Sequence, residues 1–355
     1  MSMKKTTSAL LVIVLIALFL GTGCNKQQTT AQSNQAEPVQ AAAPQAKSLP
    51  NVNWKFTHSQ SPENFQQKAL EEFASYVSEK SGGKFKIEVF HSGTLGTEQE
   101  VIENMQMGSI AGTVGAASLL ANFVPSYNLF ALPALFKNPE QLESVMADDS
   151  IMGKLRDAAN KADILDYGFY QSFFRQLYTQ KPIKSVEDFK AMKIRVMGSE
   201  IILNTFQRLG SNPTTTAWAE LYSALQLGVT EGMDHVAASV KANAFYENLK
   251  YVCEPNLFVT PMFVLVSKPM YEKLPAEYKA IIDDAVKNVL VKRLQELSNN
   301  ANYSDLDWLK SEGGLEFVEC DYEAIQKYVA NVRDKYIAAQ EPWVQEICKQ
   351  IIAQN

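Results

Sequence analysis

The sequence predicts an α/β protein, and three observations lead to that prediction. From residue 52 onward, segments of alternating apolar residues are interleaved with segments whose apolar residues recur at helical spacing. The strand–helix–strand order of residues 52–89 indicates a parallel sheet. The region after Tyr271 consists chiefly of long helical patterns. A chain of 355 residues is long enough for two such domains.

The first elements are a strand, a helix and a second strand. Alternation up to Thr57 predicts the first strand, and residues 65–77 have apolar side chains at helical spacing. Gly82 and Gly83 stop that helix, and residues 85–89 alternate again. This order begins an α/β domain.

Further elements follow along the chain. A helical pattern ends at Gly108, and residues 109–118 form a strand of small side chains. Residues 167–178 and 194–199 contain further strands. We therefore expect the alternation of helices and strands to continue.

Two helices of the second half carry start and stop signals. We expect Ser199 to cap a helix that ends at Gly210, and Thr216 to cap one that ends at Gly228. A short strand near residues 310–321 interrupts the C-terminal helices.

The charge of the chain excludes nucleic acid as a partner. The formal net charge is -6, and the first 23 residues contain only Lys4 and Lys5 as charged groups. Removal of that segment leaves -6 - 2 = -8. A domain of this charge lacks the basic surface that nucleic-acid binding requires.

Residues 1–23 have the pattern of a secretory signal peptide. Two lysines precede twelve apolar residues, 9–20, which are too few to span a bilayer. Cys24 follows in a context that resembles the lipobox of bacterial lipoproteins, although Gly21 stands where leucine is usual. We predict that Cys24 is acylated. The alternative is an uncleaved anchor or an ordinary signal peptide with a chance cysteine.

Residues 24–50 are predicted to be a flexible linker. They are rich in Gln, Ala and Pro and lack aromatic residues, so they cannot bury enough apolar surface to fold. With the lipid on Cys24, this segment would hold the body outside the cytoplasm, at the outer face of a membrane.

The body shows no recognisable catalytic or metal-binding motif. Cys253, Cys320 and Cys348 lack metal-like spacing; they allow one disulfide, and their pattern favours buried thiols. Its three histidines are far apart, and phosphate loops and dinucleotide turns are absent from the sequence. We therefore predict a binding protein without a cofactor and without catalytic activity.

Five blocks of the body resemble one known family. The blocks are "HSGTLGTEQEVIENMQMGSI", "ALPALFKNPEQ", "FFRQLYTQKPIKSVEDFKAMKIRV", "GSNPTTTAWAELYSALQLGVTEGMDHV" and "LVSKPMYEKLPAEYKAIIDDAV". They are similar to the solute-binding proteins of tripartite ATP-independent periplasmic (TRAP) transporters, of the dicarboxylate-binding type. The resemblance covers residues 52–345.

This resemblance implies a two-domain fold like that of periplasmic binding proteins, with a ligand cleft between the domains and long C-terminal helices. Residues 51–172 with about 261–300 would form domain I, and residues 173–260 with about 301–355 would form domain II. The protein would capture a small organic acid and deliver it to the membrane permease subunits, without catalysis.

The resemblance also assigns the arginines of the site. The signature arginine that binds the ligand carboxylate falls on Arg195, between the apolar Ile194 and Val196. A guanidinium suits this task because it donates two parallel hydrogen bonds and stays charged when buried. Arg175 is the second candidate, and the alternative for it is a permanent acidic partner inside the protein.

Four further residues complete the predicted site. Trp218 stands where relatives have an aromatic residue over the ligand, and His235 stands where they commonly have Asn. Ser59 and Gln60 follow the first strand, at an edge where α/β sheets bind ligands. The alternatives are a core tryptophan, a structural histidine and solvated loop residues.

Other functions stay open at this point. The same body could serve as a sensor that reports ligand to a signalling partner, or as an exported hydrolase or lyase with an unrecognised site. The ligand could be a four-carbon dicarboxylate, a keto acid, a uronate or another sugar acid.

Overall fold

The computed structural model describes residues 49–171, 173–259 and 261–354. The signal peptide, Cys24 and most of the linker lie outside the described residues, so the expectations on them stay predictions. Among the described residues, no helix combines the length and apolarity needed to cross a membrane.

The described residues contain two β-sheets. The first sheet has the strand order β2-β1-β3-β10-β4, and the second has the order β11-β9-β5-β8-β6-β7. We call each sheet with its covering helices a lobe. The strands of the first sheet are β1 (Val52–Thr57), β2 (Phe85–Phe90), β3 (Gly112–Ala116), β4 (Ile164–Gln171) and β10 (Met262–Ser267). Those of the second are β5 (Gln176–Thr179), β6 (Lys193–Arg195), β7 (Asn212–Thr214), β8 (Gly232–His235), β9 (Tyr251–Cys253) and β11 (Glu316–Phe317).

The helices alternate with these strands. In the first lobe they are α1 (Phe65–Lys80), α2 (Glu98–Gln106), α3 (Ala117–Leu120), α4 (Pro139–Ala147) and α5 (Asp149–Lys161), with a 3₁₀ helix at Pro125–Ala131. In the second lobe they are α6 (Glu200–Arg208), α7 (Leu221–Gln226) and α8 (Ala237–Ala242), with 3₁₀ helices at Val186–Phe189, Trp218–Glu220 and Phe245–Asn248.

The C-terminal part is mostly helical, as predicted. It comprises α9 (Lys268–Glu272), α10 (Ala276–Asp284), a π-helical stretch (Ala285–Val291), α11 (Lys292–Ser311), α12 (Tyr322–Ala339) and α13 (Pro342–Ala353). Helix α11 contacts α1 and β4 of the first lobe and α8 of the second lobe. It therefore connects the two lobes.

The parallel pairing predicted from residues 52–89 is confirmed for β1 and β2, but each sheet as a whole is mixed. In the first sheet only β10 runs against its neighbours, and in the second sheet only β5 does. Both are strands by which the chain enters one sheet from the other. The chain segments that lead into β5 and β10 lie side by side, and an isolated antiparallel β-bridge joins Phe174 to Val259. The alternation of apolar residues in the sequence does not indicate the direction in which β5 and β10 run.

Several predicted boundaries are confirmed. Helix α1 begins after Asn64, whose side chain accepts a hydrogen bond from the Gln66 N–H, and it ends just before Gly82 and Gly83. A side chain at Gly112 would collide with the Phe56 ring, because its Cβ would lie 2.4 Å from a ring carbon. The small residues of β3 therefore permit close packing on β1.

The predicted cap at Thr216 is wrong. The 3₁₀ helix begins at Trp218 with Ala217 in the capping position, and α7 follows from Leu221. The backbone of Thr216 instead contacts a side chain of the second sheet, because its carbonyl oxygen accepts a hydrogen bond from Arg195. Sequence spacing alone gave no indication of this contact.

Three clusters of buried apolar residues hold the fold together. One lies between the first sheet, α1 and the helical segment 276–294, and another lies between the second sheet and α7. The largest includes α4, α5, α6, α12 and α13. Burial on this scale holds the strand ends in place, so that the loops between the lobes can form a site.

Candidate ligand-binding cleft

A cavity of about 500 Å³ lies between loops of the two lobes. Its first-lobe wall follows β1, β2 and β3, and its second-lobe wall follows β6 and β7. The lining includes Ser59, Gly93, Thr97, Glu98, Leu119 and Asn122 on one side, and Arg195, Gly198, Thr216, Trp218 and Glu220 on the other. A volume of this size accommodates a small organic molecule.

Arg195 is the last residue of β6, and the residue is 5% exposed. Its Nε donates a hydrogen bond to the Thr216 carbonyl oxygen at 3.1 Å. Its Nη1 is buried and has no hydrogen-bond partner within the described residues. Because unpaired buried donors are costly, this nitrogen marks a place where an external acceptor would be stabilised.

Burial lowers the pKa of Arg195 to about 10, and the nearby Asp234 and Glu98 oppose that shift. At neutral pH the guanidinium is therefore still positively charged. A buried positive charge beside a cavity favours an anionic ligand.

Trp218 covers the guanidinium of Arg195. The centre of its ring lies 5.4 Å from the guanidinium carbon, which is the range of a cation–π contact. The indole is partly exposed and lines the cavity, and its Nε1 is buried without a partner in the described part of the chain. Trp218 can therefore pack over a ligand and donate a hydrogen bond to it.

Glu98 is a site residue that the sequence did not reveal. It is the first residue of α2, directly after the capping Thr97, and it is partly buried in the cavity wall. The Ser59 hydroxyl donates a hydrogen bond to its Oε1 at 2.9 Å. Burial raises the pKa of Glu98, while Ser59 and the charge of Arg195 act against that change. The cavity thus has a cationic wall and an opposed acidic group.

Arg175 lies outside the cavity lining and has an internal partner. Its Nε donates to Asp234 Oδ2 at 2.6 Å, and its Nη2 donates to the Asp234 carbonyl oxygen at 2.6 Å. Both side chains are almost completely buried. The structure therefore supplies the permanent acidic partner of the alternative interpretation, and ligand contact by Arg175 stays a prediction.

His235 and Gln60 also lie outside the lining of this cavity. The His235 ring packs against Trp218, with 4.6 Å between ring centres, and burial followed by the charges of Arg175 and Arg195 holds its pKa well below the usual value. His235 is therefore neutral at physiological pH. Gln60 accepts a hydrogen bond from the Asn243 amide at 3.1 Å. Of the six predicted residues, only Ser59, Arg195 and Trp218 line the cavity.

Hydrogen bonds join the two lobes around the cavity. Besides the Gln60–Asn243 contact, the Ser61 hydroxyl donates to the Ala242 carbonyl at 3.1 Å. On another side, the Asn122 amide donates to the Gly198 carbonyl at 2.9 Å. These contacts bring the two walls within reach of one small ligand.

No cluster of three or more potential metal ligands occurs among residues 49–171, 173–259 and 261–354. The polar groups of the lining are one guanidinium, one indole, the carboxylates of Glu98, Glu100 and Glu220, two amides and several hydroxyls. Such a set recognises a small polar anion by charge and hydrogen bonding.

Residues 56–341 match the model of the bacterial extracellular solute-binding proteins, family 7. The chain belongs to this family. The predicted TRAP-type family, two-lobed α/β fold and solute-binding function are confirmed by this match and by the similar structures. Solute-binding proteins of this type are extracytoplasmic and work with membrane permease subunits.

Three similar proteins illustrate the range of the family. An uncharacterised protein of Salmonella typhimurium, YiiZ, is 30% identical over 75% of this chain and 81% of its own length. The C4-dicarboxylate-binding periplasmic protein DctP of Vibrio cholerae is 25% identical over 67% of this chain and 70% of its own length. A TRAP periplasmic solute-binding protein of Sulfitobacter sp. NAS-14.1, solved with bound β-D-galacturonate, is 28% identical, with a TM-score of 0.79 over 83% of this chain and 98% of that one.

Proposed function

We propose that this protein binds a sugar acid with one carboxylate and several hydroxyl groups. In this proposal Arg195 binds the carboxylate, Trp218 packs over the carbon skeleton, and Glu98 accepts a hydrogen bond from a ligand hydroxyl. Ser59 holds Glu98 in place. His235 supports the Trp218 ring from behind.

The observation that carries the proposal is the unpaired Nη1 of Arg195. This donor is buried beside a cavity large enough for a six-carbon ligand, whereas the Nε of the same guanidinium donates to the Thr216 carbonyl oxygen. A ligand carboxylate would supply the missing acceptor and an opposite charge. A charged hydrogen bond of this kind contributes roughly 1.5 to 3 kcal/mol.

Glu98 favours a sugar acid over a dicarboxylate. Its Oε1 is engaged by Ser59, which leaves Oε2 as an acceptor for a ligand hydroxyl. A second ligand carboxylate at the same place would meet a like charge in a partly buried site, which is unfavourable. The galacturonate complex of the Sulfitobacter protein supports this choice, whereas the name of the Vibrio protein points to the other class.

A thermal-shift panel tests the ligand class. D-galacturonate, D-glucuronate and D-galactonate are compared with succinate and L-malate at equal concentrations. At a hundred times its dissociation constant, a ligand stabilises the folded state by about 2.7 kcal/mol. We expect a sugar acid to raise the melting temperature and the dicarboxylates to leave it unchanged; the reverse pattern would overturn the proposed class.

Glu98→Gln sharpens that test. The amide keeps the size of the side chain and removes its charge, so we expect weaker sugar-acid binding and measurable binding of succinate or L-malate. Glu103→Gln, on the same helix and outside the cavity, is the matched control. An unchanged ligand profile in Glu98→Gln would remove Glu98 from the site.

The proposal includes an acyl group on Cys24 that keeps the protein at the membrane and near the permease. Support comes from the leader sequence and from the unstructured composition of the linker. Intact mass and detergent partitioning of protein exported with its own leader test it. Wild-type processing and membrane binding in Cys24→Ser would contradict lipidation.

In the proposed function, the protein releases its ligand without chemical change. Prolonged incubation of D-galacturonate with micromolar protein should give full recovery of the sugar acid by mass spectrometry. A product that accumulates with time and with protein concentration would favour an enzyme instead.

A further inference from the structure

Two of the three cysteines of the body lie side by side, although 66 residues separate them in the sequence. Cys253 is the last residue of β9, and Cys320 lies three residues beyond β11. The two strands are parallel neighbours, with Phe317 opposite Val252. The hydrogen bond from the Val318 N–H to the Val252 carbonyl, at 2.8 Å, extends this pairing toward the cysteines.

The thiols of Cys253 and Cys320 are in hydrogen-bonding contact. Both line a cavity of about 380 Å³ on the second lobe, where Cys253 is buried and Cys320 is partly exposed. Cys348 is buried in α13 and does not line this cavity. The pair is thus reachable from solvent through Cys320, and the third thiol is separate from it.

The contact makes the two thiols unequal. The hydrogen bond from Cys253 lowers the pKa of Cys320, and the same contact, together with burial, raises the pKa of Cys253. The accessible sulfur is therefore the one that forms a thiolate more readily. A thiolate is the species that attacks a disulfide.

We propose that Cys253 and Cys320 form a disulfide when the protein meets a disulfide-bearing oxidant outside the cytoplasm. The Cys320 thiolate attacks one sulfur of the oxidant and releases the other half as a thiolate. Cys253 then loses its proton to solvent and attacks Sγ of Cys320, which releases the second half. Two protein thiols are oxidised, and one oxidant disulfide is reduced to two thiols.

The position of this bond gives it a structural consequence. Cys253 directly precedes residues 254–261, which lead from the second sheet to β10 of the first sheet, and Cys320 directly precedes the cap of α12. The bond would fasten the start of α12 to the end of β9. The ligand cavity shares no lining residue with the cysteine cavity, so the bond would lie apart from the ligand site.

Peptide mapping tests the proposal on the full chain. The purified protein is incubated with oxidised glutathione, free thiols are alkylated in denaturant, and tryptic peptides are analysed by mass spectrometry. We expect residues 251–273 to be linked to residues 311–327, two hydrogens below the summed mass, and Cys348 to be alkylated. Alkylation of both Cys253 and Cys320 after oxidation would overturn the proposal, as would equally abundant links to Cys348.

Two variants separate the roles of the sulfurs. Cys253→Ser should stop at a glutathione adduct on Cys320, and Cys348→Ser should form the link as the wild type does. A Cys253→Ser protein without any adduct on Cys320 would contradict the assignment of Cys320 as the attacking sulfur. Mapping of the wild-type protein decides the pairing even if a serine variant does not fold.

Discussion

Arg175 and Arg195 lie in the same lobe and are equally hidden from solvent, yet their surroundings differ. Arg175 makes two hydrogen bonds of 2.6 Å to Asp234, one to the carboxylate and one to the backbone. Arg195 makes one hydrogen bond to a neutral carbonyl, lies under the Trp218 ring and keeps a buried nitrogen without a partner in the described structure. The first arginine has its counterion built in, and the second faces a cavity.

In the proposed function, this difference separates an arginine with a structural role from an arginine that binds the ligand. A buried charge with an internal anion is already compensated, so a ligand gains little by approaching it. Arg195 has no ion pair among the described residues, and Asp234 and Glu98 act on its charge only from a distance, so an entering anion would compensate it further. Substitutions at the two positions should therefore affect different quantities, namely folding stability at Arg175 and ligand affinity at Arg195.

The largest effect is expected for Arg175→Met. It removes the cation and leaves Asp234 buried and unpaired, so the free energy of unfolding should fall by about 3 to 5 kcal/mol in urea denaturation. Arg195→Met is the matched control and should leave the apo protein at about wild-type stability or above. Equal losses in the two variants would end the distinction between the arginines.

The next effect is a loss of affinity in Arg195→Lys. The ammonium keeps the charge but not the planar fork, so binding of D-galacturonate should weaken about ten- to a hundred-fold, corresponding to roughly 1.5 to 3 kcal/mol. Calorimetry measures the affinity, and the apo melting temperature serves as the control for folding. Affinity within about twofold of wild type in a folded variant would remove Arg195 as the carboxylate anchor.

Asp166 extends the comparison to a buried acid without an arginine partner. Its carboxylate accepts hydrogen bonds from the Tyr127 hydroxyl at 2.7 Å and the Gly168 N–H at 2.8 Å, and burial raises its pKa to about 6. A raised pKa means that the folded state binds the proton more tightly. Its stabilising contribution is therefore present below about pH 4 and is lost as the pH rises through 6.

Asp166→Asn tests this assignment. Relative to the variant, the wild type should lose on the order of 2 kcal/mol of unfolding free energy between pH 4 and pH 7. Urea denaturation at several pH values measures the difference, with the exposed Asp157→Asn as control. Parallel pH profiles for wild type and Asp166→Asn would contradict the raised pKa.

The smallest effect is expected for Trp218→Phe. Phenylalanine keeps an aromatic face but loses the indole N–H, so affinity for D-galacturonate should fall by only about three- to five-fold. The ligand-induced change in tryptophan emission should disappear, although Trp54, Trp308 and Trp343 remain. A ligand response that persists in Trp218→Phe would place the reporter elsewhere.

The sequence could predict the parts of this site that depend on local pattern. Arg195 stands out because a charge interrupts an apolar strand, and the family blocks surround it. Glu98 could not be recognised, because an acidic residue in the first turn of a capped helix is ordinary by itself. Its role depends on where α2 places it relative to β6, almost a hundred residues further along the chain.

The contacts of two predicted site residues depend on segments that are far apart in the sequence. Arg175 was predicted to contact the ligand, with an internal acid as the alternative; it pairs with Asp234 because β5 and β8 are neighbours, and its ligand contact stays a prediction. Gln60 was predicted to contact the ligand; in the structure it accepts a hydrogen bond from Asn243 of the other lobe, and its ligand contact stays a prediction. Such contacts between distant segments follow from sheet order, which the alternation of apolar residues does not encode.

A thermodynamic cycle between Arg195 and the ligand carboxylate tests the central claim most directly. Calorimetry would compare D-galacturonate with D-galactose, which has a hydroxymethyl group in place of the carboxylate, on wild type and Arg195→Lys. We predict that wild type prefers the acid by more than about tenfold, which corresponds to about 1.4 kcal/mol, and that Arg195→Lys loses most of this preference. The same preference for the acid in both proteins would contradict the claim that Arg195 binds the ligand carboxylate.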